Sequence, residues 1–301
     1  MQDQPIVIDS LNVIHVAGTK GKGSTCAFVD SFLREHGRNN GITRKIGLYT
    51  SPSLWPQNRI RIDSNPLSEE LFFQRFEEVC VGLSLDPDGL FPANTKRPGL
   101  LQMMAIVSFH TFIKEGVDVV ICETHHGGQF DATNFVDRPV ITAITKIGID
   151  HVDSLGGSIQ HIAWHKSGIF KDGVIAFSVP QVPEAEDEIK RRGKELGASP
   201  HFMENAKSTL VQFVTDDIFD TIQPEQQENC ALAAQIAHTF LQMNGQSLQE
   251  QDVQEGILKF RWPARFDIVE FSGCTWYLDG AHNEMSMQVV GKWYERVANT
   301  R

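Results

Sequence analysis

The apolar run Val-Ile-His-Val-Ala at 13–17 breaks directly into Gly18-Thr19-Lys20-Gly21-Lys22-Gly23-Ser24, and a helical pattern over 24–36 follows without a spacer. A buried strand, a glycine-rich turn and a helix start, in that order, specify the opening unit of an α/β sheet. The turn also predicts a ligand. Three glycines let backbone N–H groups converge on an anion, the helix N-terminus adds partial positive charge, and Lys22 adds a full one. The strict P-loop pattern fails, because Gly23 stands where Ser or Thr is expected and Val16 replaces the first glycine. A flexible surface loop is the plain alternative, and the succession strand, glycines, lysine, hydroxyl, helix favours phosphate.

The alternation continues. Strands are expected at 46–49, 117–122, 140–144 and 174–179, and helices at 67–81, 100–114 and 159–169, with Gly37 stopping the first helix. This order predicts an α/β fold, a mostly parallel sheet flanked by helices. Periodicity weakens over 182–224, where 184–194 is dense in charge, and a helix is expected at 230–243. Beyond Trp262-Pro263 comes a short β-rich stretch, 266–278, and a last helix. The expected division is an ATP-binding-type domain over 1–262 and the beginning of a second domain over 263–301, a piece too short to stand alone.

Ligands of open α/β sheets sit beyond the carboxyl ends of the strands. There the second strand delivers Thr50 and Ser51, the third Glu123, and the fourth Asp150-His151. A carboxylate at the end of a buried strand is costly unless paired or metal-bound, and it suits Mg²⁺ beside phosphates. A rival lies in His125, His126, His151, His161 and His165, of which the last two have the i,i+4 spacing of a zinc pair. Ile162 stands where a zinc protease carries its general-base Glu, so surface or core histidines are the expectation.

The net charge of −11 argues against a non-specific nucleic-acid binder, which would need a cationic face, while leaving room for a local phosphate site. No membrane span or signal peptide is read from the sequence. Five scattered cysteines without a CxxC pair fit a reducing compartment, cytoplasmic or mitochondrial, and each is expected to be a small core residue.

Eight segments carry a resemblance: HVAGTKGKGST (15–25), GLYTSPSL (47–54), RIRID (59–63), GGQFDATN (127–134), GIDHVDSLGGSI (148–159), IAWHKSGIFK (162–171), WPAR (262–265) and DGAHN (279–283). In this order they resemble folylpolyglutamate synthases of the Mur ligase superfamily, most closely fungal ones. The resemblance implies the superfamily's P-loop-type ATPase domain followed by a truncated start of a Rossmann-like C-terminal domain. It also implies an ATP- and Mg²⁺-dependent ligase. Such an enzyme adds L-glutamate to the γ-carboxylate of a reduced folate through an acyl phosphate.

By the same resemblance Gly18, Thr19, Lys20, Gly21, Lys22, Gly23 and Ser24 form the phosphate cradle. Ser51 and Glu123 hold one Mg²⁺, and His151 with Lys166 holds a second, Lys166 being typically carbamylated by CO₂. Asn229 contacts adenine, Arg265 reaches the phosphates, and Asp279 and His282 assist nucleotide binding; Asp131 and Asn134 shape a loop. Lys22, Glu123, His151 and Lys166 are the expected catalytic set. The substrates are small molecules, and a partner chain is one way of completing the C-terminal domain. Departures from the family pattern are concentrated around the site. The usual SPHL reads Ser51-Pro52-Ser53-Leu54, EVGxGGR reads Glu123-Thr124-His125-His126-Gly127-Gly128-Gln129, and the Gly of WPGR is Ala264. A ligase for another acid and amine, or a non-catalytic nucleotide-binding remnant, are the alternatives.

Overall fold

The computed structural model describes residues 8, 11–51, 55–83, 98–281 and 284–298. Part of the expected GLYTSPSL segment (52–54) and His282 with Asn283 of DGAHN lie outside the described residues.

The chain begins with β1 (Asn12–Ala17), whose run of Val and Ile is buried on both faces, as a central parallel strand must be. Helix α1 (Lys22–Asn40) follows the glycine loop. Then come β2 (Ile46–Tyr49), β3 (Ile60–Ile62), β4 (Asn65–Pro66), α2 (Glu69–Gly82), α3 (Leu100–Glu115), β5 (Val119–Glu123) and β6 (Ile141–Ile144). The middle of the chain adds α4 (Val152–Leu155), α5 (Ile159–Ser167), β7 (Ile175–Ser178), α6 (Pro183–Glu195), β8 (Pro200–Phe202), α7 (Ala206–Leu210) and α8 (Asp216–Thr221). The last elements are α9 (Gln227–Met243), α10 (Glu250–Leu258), β9 (Asp267–Phe271), β10 (Cys274–Leu278) and α11 (Glu284–Ala298).

The eight-stranded sheet has the order β4-β3-β2-β5-β1-β6-β7-β8. Strands β2, β5, β1, β6, β7 and β8 run parallel, and only the β2-β3-β4 edge is antiparallel. Chain order reverses at β1, since β2 lies beyond β5 on one side and β6 is added on the other. That reversal opens a crevice at the carboxyl end of β1, where the glycine loop sits. One face of the sheet packs on α1, α9 and α10 through Phe28, Phe32, Ala234 and Ile257, and another cluster joins α2 and α3 through Phe72, Met104 and Phe112. A smaller cluster under α5 and α6 includes Ile162 and Ile189.

Several expectations are corrected. Helix α1 does not stop at Gly37 but runs on to Asn40, and Gly41 ends it at φ +63°. Gly37 serves the returning chain instead: its missing Cβ would sit 2.8 Å from the Ile42 carbonyl. The weakly periodic stretch holds α6, β8, α7 and α8. In α6 the acidic residues Glu184 and Glu186 occupy the first turn and Arg192 and Lys194 the last, as the helix dipole favours. Cys274 is exposed, whereas the other four cysteines are buried.

Beyond Trp262 the chain leaves the main sheet. Strands β9 and β10 form a separate antiparallel pair. Trp293 of α11, fully buried, packs edge-on against Phe266 and Tyr277. Ala264 has φ +56°, so the position expected from the WPGR comparison to favour glycine does adopt a left-handed backbone.

Candidate nucleotide and metal site

A cavity of about 1090 Å³ spans the carboxyl ends of the parallel strands, and the glycine loop forms its floor. Internal bonds set the shape of the loop. The N–H groups of Thr19 and Lys20 both donate to the Lys146 carbonyl, at 2.9 and 3.1 Å. The Thr19 hydroxyl donates to the Gly148 carbonyl at 3.0 Å and accepts the Gly148 N–H at 3.1 Å. Thr19 thus anchors the loop to the segment after β6. Gly18, at φ +146°, leaves no room for a side chain, since a Cβ would fall 1.9 Å from Thr145 Oγ1. The N–H groups of Lys22, Gly23 and Ser24 lie in the first turn of α1, where helices lack internal acceptors. They are the donors the loop can offer an anion.

Glu123 closes β5 and is 3% exposed. Its Oε2 accepts the Ser51 N–H at 2.8 Å, and Lys22 Nζ stands 3.9 Å from Oε1. Burial pushes the carboxyl above its ordinary range, against the opposing influence of Lys22 and the Ser51 N–H. A buried carboxylate at the cavity wall, with one oxygen held by a backbone N–H and the other in a long 3.9 Å ion pair with Lys22, fits a hard divalent cation. The Ser51 hydroxyl accepts from Arg59 Nη1 at 3.2 Å.

The second expected metal group is arranged differently. His151 lines the cavity from a left-handed conformation, φ +50°, with its ring 5.2 Å from that of His126. Burial lowers its pKa, and Asp150 opposes the shift. Lys166 is 1% exposed and donates from Nζ to the Gly18 carbonyl at 2.7 Å, beneath the loop. Burial and then the Lys22 charge hold its pKa well below that of a free lysine. Among the described residues no three His, Cys, Asp or Glu side chains gather as a metal cluster. Of the candidate zinc pair, His165 packs against Phe130 and Trp164.

On the far side of the loop Asn229 sits in the first turn of α9 and donates to Gln226 Oε1 at 2.9 Å. A Cβ on Gly21, at φ +88°, would meet Asn229 Oδ1 at 2.0 Å, so loop and amide are in close contact. Arg265 lines the cavity next to Gly280. Asp279 also lines it, while its Oδ2 accepts the Phe266 N–H at 3.0 Å and so ties the two ends of the β9–β10 hairpin. Asp131 and Asn134 shape a loop, as expected. Asp131 accepts four successive or nearby N–H groups, from His125, His126, Gly127 and Thr133. Asn134 Nδ2 donates to the Gln129 and Gly168 carbonyls.

Sequence reasoning missed Arg59, Lys146 and Gln226 on the cavity wall. It also missed the pairing of Tyr49 with His125, whose partners are 76 residues apart. The one available signal was that Tyr49 ends a strand and His125 lies two residues past the end of another.

No family model matches the chain. It is 42% identical over 297 residues to the folylpolyglutamate synthase of Neurospora crassa, covering 95% of this chain and 55% of that one. It is 33% identical over 317 residues to the mitochondrial folylpolyglutamate synthase of Homo sapiens, covering 98% and 52% respectively. The chain therefore spans about half the length of these curated relatives. Among solved structures, a Mycobacterium tuberculosis folylpolyglutamate synthase complexed with ADP and AMPPCP superposes with a TM-score of 0.77 at 26% identity, covering 96% of this chain and 67% of that one. An Escherichia coli FolC in complex with DHPP and ADP gives 0.75 at 26% identity, covering 96% and 66%. In sequence and in fold the chain is similar to folylpolyglutamate synthases over about half of their length.

Proposed function

We propose that the chain binds ATP with Mg²⁺ in this cavity and acts as a carboxylate–amine ligase, joining L-glutamate to the γ-carboxylate of a reduced folate. The observation that carries the reading is the convergence of the α1 N-terminus, Lys22 and Glu123 at the reversal point of the sheet. Relatives named folylpolyglutamate synthase and a family structure holding ADP and AMPPCP support it.

In the reaction an oxygen of the acceptor carboxylate attacks the γ-phosphorus, and ADP leaves. The amine then attacks the acyl carbon, loses a proton and expels phosphate, leaving an amide. The N–H groups at the start of α1 and the Lys22 ammonium hold the phosphates and offset charge on the transferring group. Glu123, with Ser51 beside it, would hold Mg²⁺, which would supply charge neutralisation at the phosphates. Asn229 and Gln226 form the wall for the base, and Arg265 and Asp279 bring the hairpin to the phosphates. His282 belongs to the same proposed group and lies outside the described residues.

Lys166 is assigned as the carbamylation site. Its buried amine is held toward the neutral form, which is the form that adds CO₂, and carbamylation would require release of the Gly18 carbonyl. The division into an ATP-binding part over 1–262 and a second part from 263 is likewise a proposal, as is a partner chain supplying the remainder of the ligase. No helix of the described residues is long and apolar enough to cross a membrane.

A second reading, a ligase for a different acid, is favoured by one feature. His125 and His126 line the cavity where the family pattern carries a glycine and a variable residue. The test is ADP release with Mg²⁺-ATP, L-glutamate and tetrahydrofolate, with products weighed by mass spectrometry. Mass increments of one glutamyl residue, dependent on both substrates, support the first reading. Nucleotide binding without ADP or new mass rejects it for this chain alone.

A further inference from the structure

The parallel ladder between β2 and β5 ends at the pair Tyr49–Cys122. Beyond it the two strands part. Thr50 donates its N–H to the Arg59 carbonyl on the β3 side, whereas Thr124 donates to the Val16 carbonyl on the β1 side, both at 2.9 Å. Yet Ser51, two residues past β2, and Glu123, the last residue of β5, stay within one hydrogen bond of each other, at 2.8 Å.

A side-chain bridge crosses the gap. Tyr49 Oη and His125 Nε2 are 2.7 Å apart, with the rings edge-to-face at 88°. On its other side His125 Nδ1 stands 3.2 Å from Asp131 Oδ1, a charge contact without hydrogen-bond geometry, while the His125 backbone N–H donates to Asp131 Oδ2 at 2.9 Å. Asp131 Oδ2 gathers the N–H groups of His125, His126 and Gly127, and Oδ1 accepts the Thr133 N–H and hydroxyl. Thr133 Oγ1 lies 2.8 Å from His15 Nε2, inside β1. The bridge therefore ties the ends of β2, β5 and β1, and Tyr49, His15 and Thr133 within it are fully buried. A glycine at 125, as the family pattern carries, has no side chain to make it.

We propose that His125 is a positioning residue: by bridging Tyr49 to Asp131 it holds Ser51 and Glu123 at the spacing that takes the Mg²⁺ of the bound nucleotide. The inference rests on the nucleotide reading above. His125 lines the same cavity, but the bridge makes no hydrogen bond to Lys22, Asn229 or Gln226, the groups assigned to the phosphates and the base, so its loss should act chiefly on the metal.

The experiment measures AMPPCP affinity by calorimetry, both without metal and across a Mg²⁺ titration, for the unsubstituted chain, Tyr49→Phe, His125→Gly and His125→Gln. Loss of a residue that orients a metal ligand typically weakens metal affinity by about 10–100-fold. Tyr49→Phe and His125→Gly should raise the Mg²⁺ requirement by about that factor and leave metal-free AMPPCP affinity unchanged. His125→Gln, whose amide can still meet the Tyr49 hydroxyl, should stay close to the unsubstituted chain. An unchanged Mg²⁺ requirement in Tyr49→Phe and His125→Gly overturns the proposal. So do equal losses with and without metal, which mark a merely structural role. If the unsubstituted chain binds AMPPCP under neither condition, the nucleotide reading fails and the proposal falls with it.

Discussion

Replacing Gly21 by alanine separates a loop shaped by its backbone from one that is merely flexible. Gly21 has φ +88°, a left-handed value that costs an L-residue about 1–2 kcal/mol. The added Cβ would fall 2.0 Å from Asn229 Oδ1, so that amide must turn away and give up its 2.9 Å bond to Gln226. A hydrogen bond of this kind contributes about 1 kcal/mol. The total of about 2–3 kcal/mol corresponds, for a chain of this length, to a melting temperature lower by roughly 3–5 °C. The displaced amide also enters the space assigned to the base, so AMPPCP affinity should drop about tenfold or more, that is by at least about 1.4 kcal/mol. Thermal unfolding and calorimetry on the same preparations measure both. Adding Asn229→Ala removes the collision, so the double variant should be less destabilised than the sum of the two single ones. Gly21→Ala melting with the parent and binding AMPPCP equally well would refute the reasoning.

Glu123→Gln should stabilise the ligand-free chain at neutral pH while abolishing the Mg²⁺ dependence of nucleotide binding. Burial holds the Glu123 pKa above its unfolded value, so the stability associated with its proton is present in acid and is lost as pH rises through the folded pKa. Glutamine keeps an acceptor for Ser51 and removes that loss, so melting curves of the two forms should diverge from acid toward neutral pH. Ala264→Gly relieves the left-handed alanine at φ +56° and should raise the free energy of urea unfolding by about 0.5–1 kcal/mol, after subtracting the extra unfolded-state freedom of glycine. Asp252, fully buried, is 2.8 Å from His36 Nδ1 and accepts from Asn39 and the Gln249 N–H, joining α1 to α10. Asp252→Ala should therefore cost about 3–5 kcal/mol in denaturant unfolding.

The α/β alternation was legible because runs such as 13–17 and 119–123 are β-branched and buried on both faces, leaving no amphipathic signal to confuse with a helix. Strand order was not legible, because the place of β1 between β5 and β6 is set by pairings more than 100 residues apart in sequence. Helix α6 was hidden by its narrow buried face, just Ala185, Ile189 and Gly193, on a strongly charged cylinder. Gly37 misled because a glycine within a helix was read as conformational freedom, when its role is close approach to Ile42. At the site, Lys22 and Glu123 were legible from their positions after β1 and at the end of β5. Lys166 was picked out by its motif, yet only the fold shows its amine under the Gly18 carbonyl. The Tyr49–His125–Asp131 bridge depends on how two strands diverge, which no local pattern encodes.

In the proposed reaction Lys22 and Glu123 serve a transfer of the γ-phosphoryl group onto a carboxylate. It is tested most directly with tetrahydrofolate labelled with ¹⁸O in its γ-carboxylate, incubated with Mg²⁺-ATP and L-glutamate. An acyl phosphate sends one carboxylate oxygen out with the phosphate, so the account predicts phosphate carrying a single ¹⁸O for each amide formed. Unlabelled phosphate, released with or without amide, would contradict it.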